Sequence, residues 1–449
     1  MITQEEYKSR RAKLMDSVND GVIYLKGNDE IQRNPDVPYE FRQNSHFRYL
    51  TGINIPGVSM MLIPKDRRYI LFAPEFSIDD QVWRGPKPTL AEFKEQFGAD
   101  EIHTPDEIGS YGIDLFFQNL GSFHTVTAYP EQFSTLARNE KLAKAIIEMR
   151  LVKSPDEIAL IEKALDVTLH SYHKAITHTQ PGINERDIQA SIEHTYRTHG
   201  ATYAFPPIVT MDGNVLDHFE NGNQLVFGRM LLIDSGAEVE GYASDITRTI
   251  PVNGKFSPEQ HAIYNIVLEA KKQAARALRP GINYRDIHML AEGVIAEGLI
   301  DCGILRGNIS DILENGAHRL FFVHGLGHPL GLDDHDCGDF RDWTAGYSEQ
   351  NPRSNKFGLK SLRYARVLKP SNVMTIEPGI YFIPTLLNNP EIRRQHGEFV
   401  DFDKALKLEK TVSGIRIEDV FLVTPKGHRR LGLKIPEEID DLEQIIGKY

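Results

Sequence analysis

One stretch of this chain occurs twice. Gln180-Pro-Gly-Ile-Asn-Glu-Arg-Asp-Ile188 returns as Arg279-Pro-Gly-Ile-Asn-Tyr-Arg-Asp-Ile287, 99 residues further on. In each copy a long helical stretch breaks at Pro-Gly, and a second helix restarts with Asn184 or Asn283 as its N-cap. Two copies at this spacing are too few and too distant for a solenoid. They predict a duplicated half and a C-terminal domain with approximate two-fold symmetry.

With 449 residues the chain exceeds one ordinary core, so two domains are expected. The change of character falls at Lys153-Ser-Pro-Asp-Glu157, where Ser154 suits an N-cap, Pro155 the first helical position, and Asp156 and Glu157 the positive end of the helix dipole. Residues 1–153 therefore form an α/β domain. Its buried strands are Gly21 to Lys26, Ser59 to Ile63 and Tyr69 to Ala73, covered by helices at Leu90 to Phe97 and Glu131 to Met149. Residues 154–449 form an α+β domain, with helices over a curved antiparallel sheet. In it, Met230 to Asp234 runs to a turn near Glu240-Gly241 and returns as Ala243 to Ile250, an antiparallel hairpin. Ser413 to Val423 reads as one strand on which Arg416 and Glu418 share a face.

Composition removes several function classes. No run approaches the roughly eighteen apolar residues that span a bilayer, so no membrane role is expected. A net charge of -12 argues against a nucleic-acid partner. The polar start Met1-Ile-Thr-Gln-Glu-Glu-Tyr-Lys8 lacks the apolar core of a secretory signal, and two cysteines, Cys302 and Cys337, suit a reducing compartment. A cytoplasmic location is expected.

The chemistry concentrates in a few places. His324-Gly-Leu-Gly-His328-Pro-Leu-Gly-Leu-Asp-Asp-His335 is too rich in Gly and Pro for a helix, so its imidazoles sit on loop or extended chain as a metal or acid/base site. Asp234 and Asp245 are brought together by the hairpin, and Glu377 and Glu418 likewise end or interrupt apolar strand runs. Burying adjacent carboxylates is costly unless a cation intervenes. Four carboxylates and one imidazole suit hard divalent ions, and are enough for two of them holding a bridging hydroxide. His218, His324 and His335 then bind or protonate substrate, although His218 alone also fits an exposed loop.

These motifs, with Thr375-Ile-Glu-Pro-Gly-Ile-Tyr381, Ile233-Asp-Ser-Gly followed by Ser-Asp245-Ile-Thr-Arg, Gly414-Ile-Arg-Ile-Glu418-Asp, and Arg42-Gln-Asn-Ser-His-Phe-Arg-Tyr-Leu-Thr-Gly52 near the start, resemble the Xaa-Pro peptidases of the pita-bread fold, the group of prolidase and aminopeptidase P. The resemblance spans nearly the whole chain. It implies that Asp234, Asp245, His328, Glu377 and Glu418 bind two divalent ions, manganese first with cobalt or zinc as alternatives, and that Asp245 and Glu418 bridge them. It also implies that Glu377 is the general base, that His324, His335 and His218 contact substrate, and that Arg416 belongs to the substrate side and to the shell orienting the ligands. Gly358 to Pro370 resembles the prolidase segment whose arginine binds a dipeptide carboxylate, a position held here by Arg363; ordinary surface charge is the other reading of Arg363 and Arg366. With the insert Phe382 to Val412, this places the chain closest to prolidase, acting on Xaa-Pro dipeptides. The alternative is aminopeptidase P, acting on longer proline-containing peptides, and a more distant one is a non-catalytic partner-binding protein of the same fold. Such a bimetal site also suits phosphotriester hydrolysis, which the sequence does not select. Phe205 and Asp217 depart from the family pattern, where tyrosine and a hydrophobic residue are usual. A homodimer is implied as well, with Trp83 as a candidate contact.

Overall fold

A computed structural model describes residues 1–108, 123–124, 140–220 and 222–448. The chain divides into two compact units, Met1–Arg150 and Leu151–Tyr449. In the first, five strands pair in the order Glu101–His103, Arg68–Phe72, Ser59–Ile63, Val22–Lys26 and Phe123–His124. The central Ser59–Ile63 is antiparallel to both neighbours, whereas the two outer pairings are parallel, so the sheet is mixed. Ser59–Ile63 is buried along its whole length, which is why it reads as an unbroken apolar run. Helix Leu90–Phe97 stands where expected, closed by a capping box between Thr89 and Glu92. Of the expected helix Glu131 to Met149, the stretch Glu140–Leu151 is helical and 131–139 lies outside the described residues.

The second unit is built twice over. Helices Pro155–His178 and Glu185–Thr198 begin one half, and Pro258–Ala277 and Tyr284–Asp301 begin the other. Ser154 and Ser257 each close a capping box, with Glu157 and Gln260 respectively, and each precedes a proline at the first helical position. Asn184 and Asn283 cap the second helices by accepting from the backbone N–H of Arg186 and Arg285. The repeated loop keeps the same hydrogen bonds in both copies. Gly182 N–H donates to Leu225 O and Gly281 N–H to Leu368 O, while Leu225 and Leu368 donate back to Ile183 and Ile282. The duplication therefore persists down to individual backbone bonds.

Each half contributes antiparallel strands that carry its acids. Met230–Ser235 pairs with Ile246–Pro251, and Ala237–Val239 with Tyr242–Ala243, across a turn in which Glu240 and Gly241 both take positive φ. Ser235 pairs with Ile246 and Glu238 with Ala243 in a single register, so Gly236 falls opposite Asp245, and Asp234 is its diagonal neighbour on the same face. In the second half the expected strand Ser413 to Val423 is two strands. Gly414–Arg416 pairs with Gly379–Tyr381, and Asp419–Thr424 pairs with Val373–Ile376. The break follows from Pro378, which has no N–H to give, and from Glu418, whose N–H is spent on Thr247 O. Register is preserved through it, so Glu377 falls opposite Glu418.

A Cβ at position 236 would lie 1.6 Å from the carbonyl oxygen of Ser244, so the hairpin closes only over glycine. Gly236→Ala is expected to cost about 2–4 kcal/mol through the forced strand separation. Urea unfolding measures it, and an unchanged midpoint for this unit contradicts the packing argument.

Candidate metal centre

The acid-bearing strands and the histidine loop surround a cavity of 390 Å³ within the second unit. Asp234, Asp245, His328, Glu377 and Glu418 all line it. So do His324, His335, Arg363 and Arg416. The histidine segment is non-helical, as its Gly and Pro content requires, and it lies along the second-half strand: His328 N–H donates to Thr375 Oγ1 and Thr375 N–H to His328 O, both at 3.0 Å. Gly327 permits this approach, since a Cβ there would meet Thr375 O at 2.3 Å.

Two of the imidazoles, His324 and His328, are oriented by hydrogen bonds to backbone carbonyls. Nδ1 of His328 stands 3.1 Å from Pro329 O, an acceptor only, so Nδ1 carries the proton and Nε2 keeps its lone pair. That Nε2 is 3.3 Å from Asp245 Oδ2 and 3.5 Å from Glu377 Oε1. His324 donates from Nδ1 to Gly325 O at 2.7 Å and accepts at Nε2 from the Tyr381 hydroxyl, also at 2.7 Å. Burial first, and then the positive charge of Arg416, drives His324 down to about 3; burial and Arg363 drive His335 down to about 4. Both rings are neutral at neutral pH.

The carboxyls shift the other way. Burial raises Asp245 and Glu418 well above their ordinary range and Glu377 to about 8, with neighbouring carboxylates adding to the effect. Asp419, the next residue after Glu418, has the opposite fate. It points to the other face of its strand, where Arg248 and Lys271 hold its carboxyl far below the usual range against the effect of burial. A site for cations and a self-neutralised network thus lie back to back.

The donors fit a hard divalent ion. Asp245, His328 and Glu418 present ligand atoms within 4.8 Å of one another. One oxygen each of Asp234, Asp245 and Glu418 is buried without a hydrogen-bond partner. Such orphaned carboxylate oxygens are expensive unless a cation takes them, and an oxygen-rich set with a single imidazole is the donor chemistry of manganese-like ions.

One expected residue stands elsewhere, and another lines the cavity with its charge already engaged. His218 is not among the residues lining the cavity, although Leu216, Asp217 and Phe219 are; its Nε2 lies 4.0 Å from Asp212 Oδ2. Arg416 is only 5% exposed, and its guanidinium donates to Asp234, to Tyr381 Oη and to Thr247 Oγ1, the contacts of a group that orients the acids. Arg363 sits on irregular chain rather than on a helix surface. Three contributors escaped the sequence reading. Thr247 donates to Glu418 Oε2 at 2.7 Å, Tyr381 links Arg416 to His324, and Asp334 lines the cavity. Alternation along the strand puts Thr247 on the face of Asp245, a signal that was available.

A pita-bread fold around a buried, carboxylate-rich donor set defines a class, the metal-dependent hydrolases. Residues 159–425 match metallopeptidase family M24, and residues 7–119 match the aminopeptidase P N-terminal domain. The Xaa-Pro aminopeptidase of Escherichia coli K12 is 32% identical over 469 residues, covering 98% of each chain. That of Haemophilus influenzae is also 32% identical, covering 99% of this chain and 98% of the other. Among solved structures, proline aminopeptidase P II from Yersinia pestis aligns at a TM-score of 0.82 and 30% identity over 99% of both chains. Aminopeptidase PepP of Pseudomonas aeruginosa aligns at 0.83 and 29%, over 99% of this chain and 98% of that one. This chain belongs to metallopeptidase family M24, and it is a metal-dependent peptidase. The expected closeness to prolidase is not supported: likeness along the whole chain favours the aminopeptidase alternative and outweighs one arginine and an insert, which folds as the short helices Pro384–Leu387, Pro390–His396 and Phe402–Glu409.

In metal-free protein, Glu377 stays protonated up to about pH 8, whereas an unfolded glutamate ionises near 4.5. The native state then holds more protons than the unfolded one, and stability falls as pH rises through that window. The depressed histidines oppose this only up to their unfolded value of 6.5. The melting temperature of chelator-treated protein is therefore expected to decline between pH 6.5 and 8, and a saturating divalent ion to abolish the decline. Thermal melts with and without metal at both pH values check this, and a flat metal-free profile contradicts it.

Proposed function

We propose that this chain is a Xaa-Pro aminopeptidase that releases the N-terminal residue from peptides with proline in second place. The observation that carries the reading is the set of orphaned carboxylate oxygens on Asp234, Asp245 and Glu418, buried in a cavity beside His328 and Glu377. The names of its relatives supply the substrate class. In this reading residues 154–449 are the catalytic domain, residues 1–153 accompany it, and Asp234, Asp245, His328, Glu377 and Glu418 hold two divalent ions. Manganese is the expected occupant, with cobalt or zinc as alternatives. When bound, such ions acidify water and polarise the scissile carbonyl.

The residues divide the remaining work. Glu377, whose proton affinity is raised by burial, takes a proton at its carboxylate and passes it to the departing prolyl nitrogen. Neutral His335, on the cavity wall, donates to the peptide, and the Arg416 to Tyr381 to His324 chain fixes the opposite wall. Phe205, Leu216 and Phe219 give the apolar surface on which a pyrrolidine ring packs, so proline is selected by shape. One observation favours prolidase as a second reading: Arg363 lines the cavity, where its guanidinium suits a substrate's free carboxylate. The two free cysteines suit a reducing cytoplasm, and no described helix is long and apolar enough to cross a membrane.

Stripped protein resupplied with Mn²⁺, Co²⁺ or Zn²⁺ is expected to cleave Xaa-Pro-Xaa tripeptides faster than Gly-Pro, and Glu377→Ala to lower kcat by about 10²–10⁴. Turnover of Gly-Pro alone returns the prolidase reading. The active form is taken to be a homodimer. Ile78, Val82 and Trp83, on helix Ile78–Arg84, are 80%, 72% and 85% exposed and form its expected contact. Trp83→Glu should then shift sedimentation from dimer towards monomer, and an unchanged dimer removes this helix from the interface.

A further inference from the structure

We infer that Asp334 is an additional ligand of the metal centre, adding its carboxylate to the ion held at His328. The inference rests on the metal reading above. His328, Asp334 and His335 present ligand atoms within 4.8 Å of one another, and this group shares His328 with the set of Asp245, His328 and Glu418. Oδ1 of Asp334 is buried and has no hydrogen-bond partner, while Oδ2 lies 3.7 Å from Nε2 of His335. On its inner side Asp334 reaches the side chain of Asp245, which is only 6% exposed and has its own unpartnered Oδ1. Two carboxylates within reach of one another require a proton or a cation between them. The ring of His328 supplies a third donor aimed at the same space.

The loop presents Asp334 to the cavity and commits Asp336 elsewhere. Gly331 N–H donates to Asp333 O, and Asp336 N–H to Pro329 O, folding residues 329–336 into a closed turn. Within it Asp336 is already neutralised, since its carboxylate pairs with Lys153 at 2.9 Å and both side chains are 1% exposed. A Cβ at Gly331 would meet that carboxylate at 2.8 Å, so glycine there lets the turn close on Asp336. Asp334 is left facing the cavity. Its segment also hydrogen-bonds the His328 ring, so one turn both orients the imidazole and adds the acid. The five ligands expected from the sequence bring four carboxylates, which two divalent ions balance. A fifth adds charge and coordination number, which favours an ion of high coordination such as manganese.

The test uses the full-length chain, stripped with chelator, as parent, Asp334→Asn and Asp334→Val. Manganese is titrated by calorimetry, metal content is measured after desalting, and the melting temperature is recorded with and without Mn²⁺. The parent is expected to take up two ions. Both variants should lose at least about tenfold in Mn²⁺ affinity and show a smaller Mn²⁺-induced rise in melting temperature, with Asp334→Glu restoring part of both. Metal-free melts identify a variant that has merely failed to fold, and Asp334→Asn, which matches the parent side chain in shape, keeps the comparison meaningful. Unchanged or tighter Mn²⁺ binding in both variants overturns the proposal, because it is the result expected when a shared proton alone joins Asp334 to Asp245. A parent that binds no divalent ion overturns the metal reading itself, an outcome distinct from two ions bound equally by parent and variants.

Discussion

Burial of carboxylates that also repel one another governs the second unit. Asp234, Asp245, Glu377 and Glu418 line one cavity, and burial raises the carboxyls of Asp245, Glu377 and Glu418 towards the protonated form. The surroundings offset this selectively. Arg416 takes one oxygen of Asp234 and Thr247 takes one of Glu418, each leaving the other oxygen bare. The result is a cluster in which Asp234, Asp245 and Glu418 each keep one buried oxygen open to a cation. The network of Arg248, Lys271, Asp419 and Glu437 lies behind it and closes on itself, so those cations do not drain the site.

The same threonines and arginines join the halves. Thr249 accepts from Arg416 N–H and donates to Arg416 O, Glu418 N–H donates to Thr247 O, and Arg248 donates to Glu418 O. Strand order and ligand placement are therefore one arrangement. The bonds that align Ile246–Pro251 with Gly414–Arg416 also set the separation between Asp245 and Glu418.

Much of this could be read from residues alone, for identifiable reasons. The duplicated Pro-Gly-Ile-Asn loop encodes local capping and turn chemistry, and both copies fold as that chemistry dictates. Acids that interrupt apolar strands announce themselves because nothing but function justifies the desolvation. What stayed hidden depends on direction rather than identity. His218 sits in a segment that lines the cavity, yet its ring faces Asp212, and no spacing rule reports which way a loop side chain turns. Arg416 shares the face of Glu418, but its guanidinium is committed to partners 35 to 182 residues away. Asp334, one of three acids within four positions, is distinguished from Asp336 only by the remote Lys153. The preference between the two peptidases was equally hidden, since it rests on likeness across the whole chain.

The matched registers of the two hairpin-like strand pairs have a consequence for how the molecule gains and loses its centre. Asp234 and Asp245 belong to the first half, His328, Glu377 and Glu418 to the second, and neither half holds the complete set. An ion drawing on both sets would tie the halves together, and its removal is expected to loosen the seam rather than either lobe. Metal occupancy would then report the integrity of the joint between the duplicated halves, and a substitution far from the cavity that parts the seam is expected to weaken metal binding with all five side chains still present.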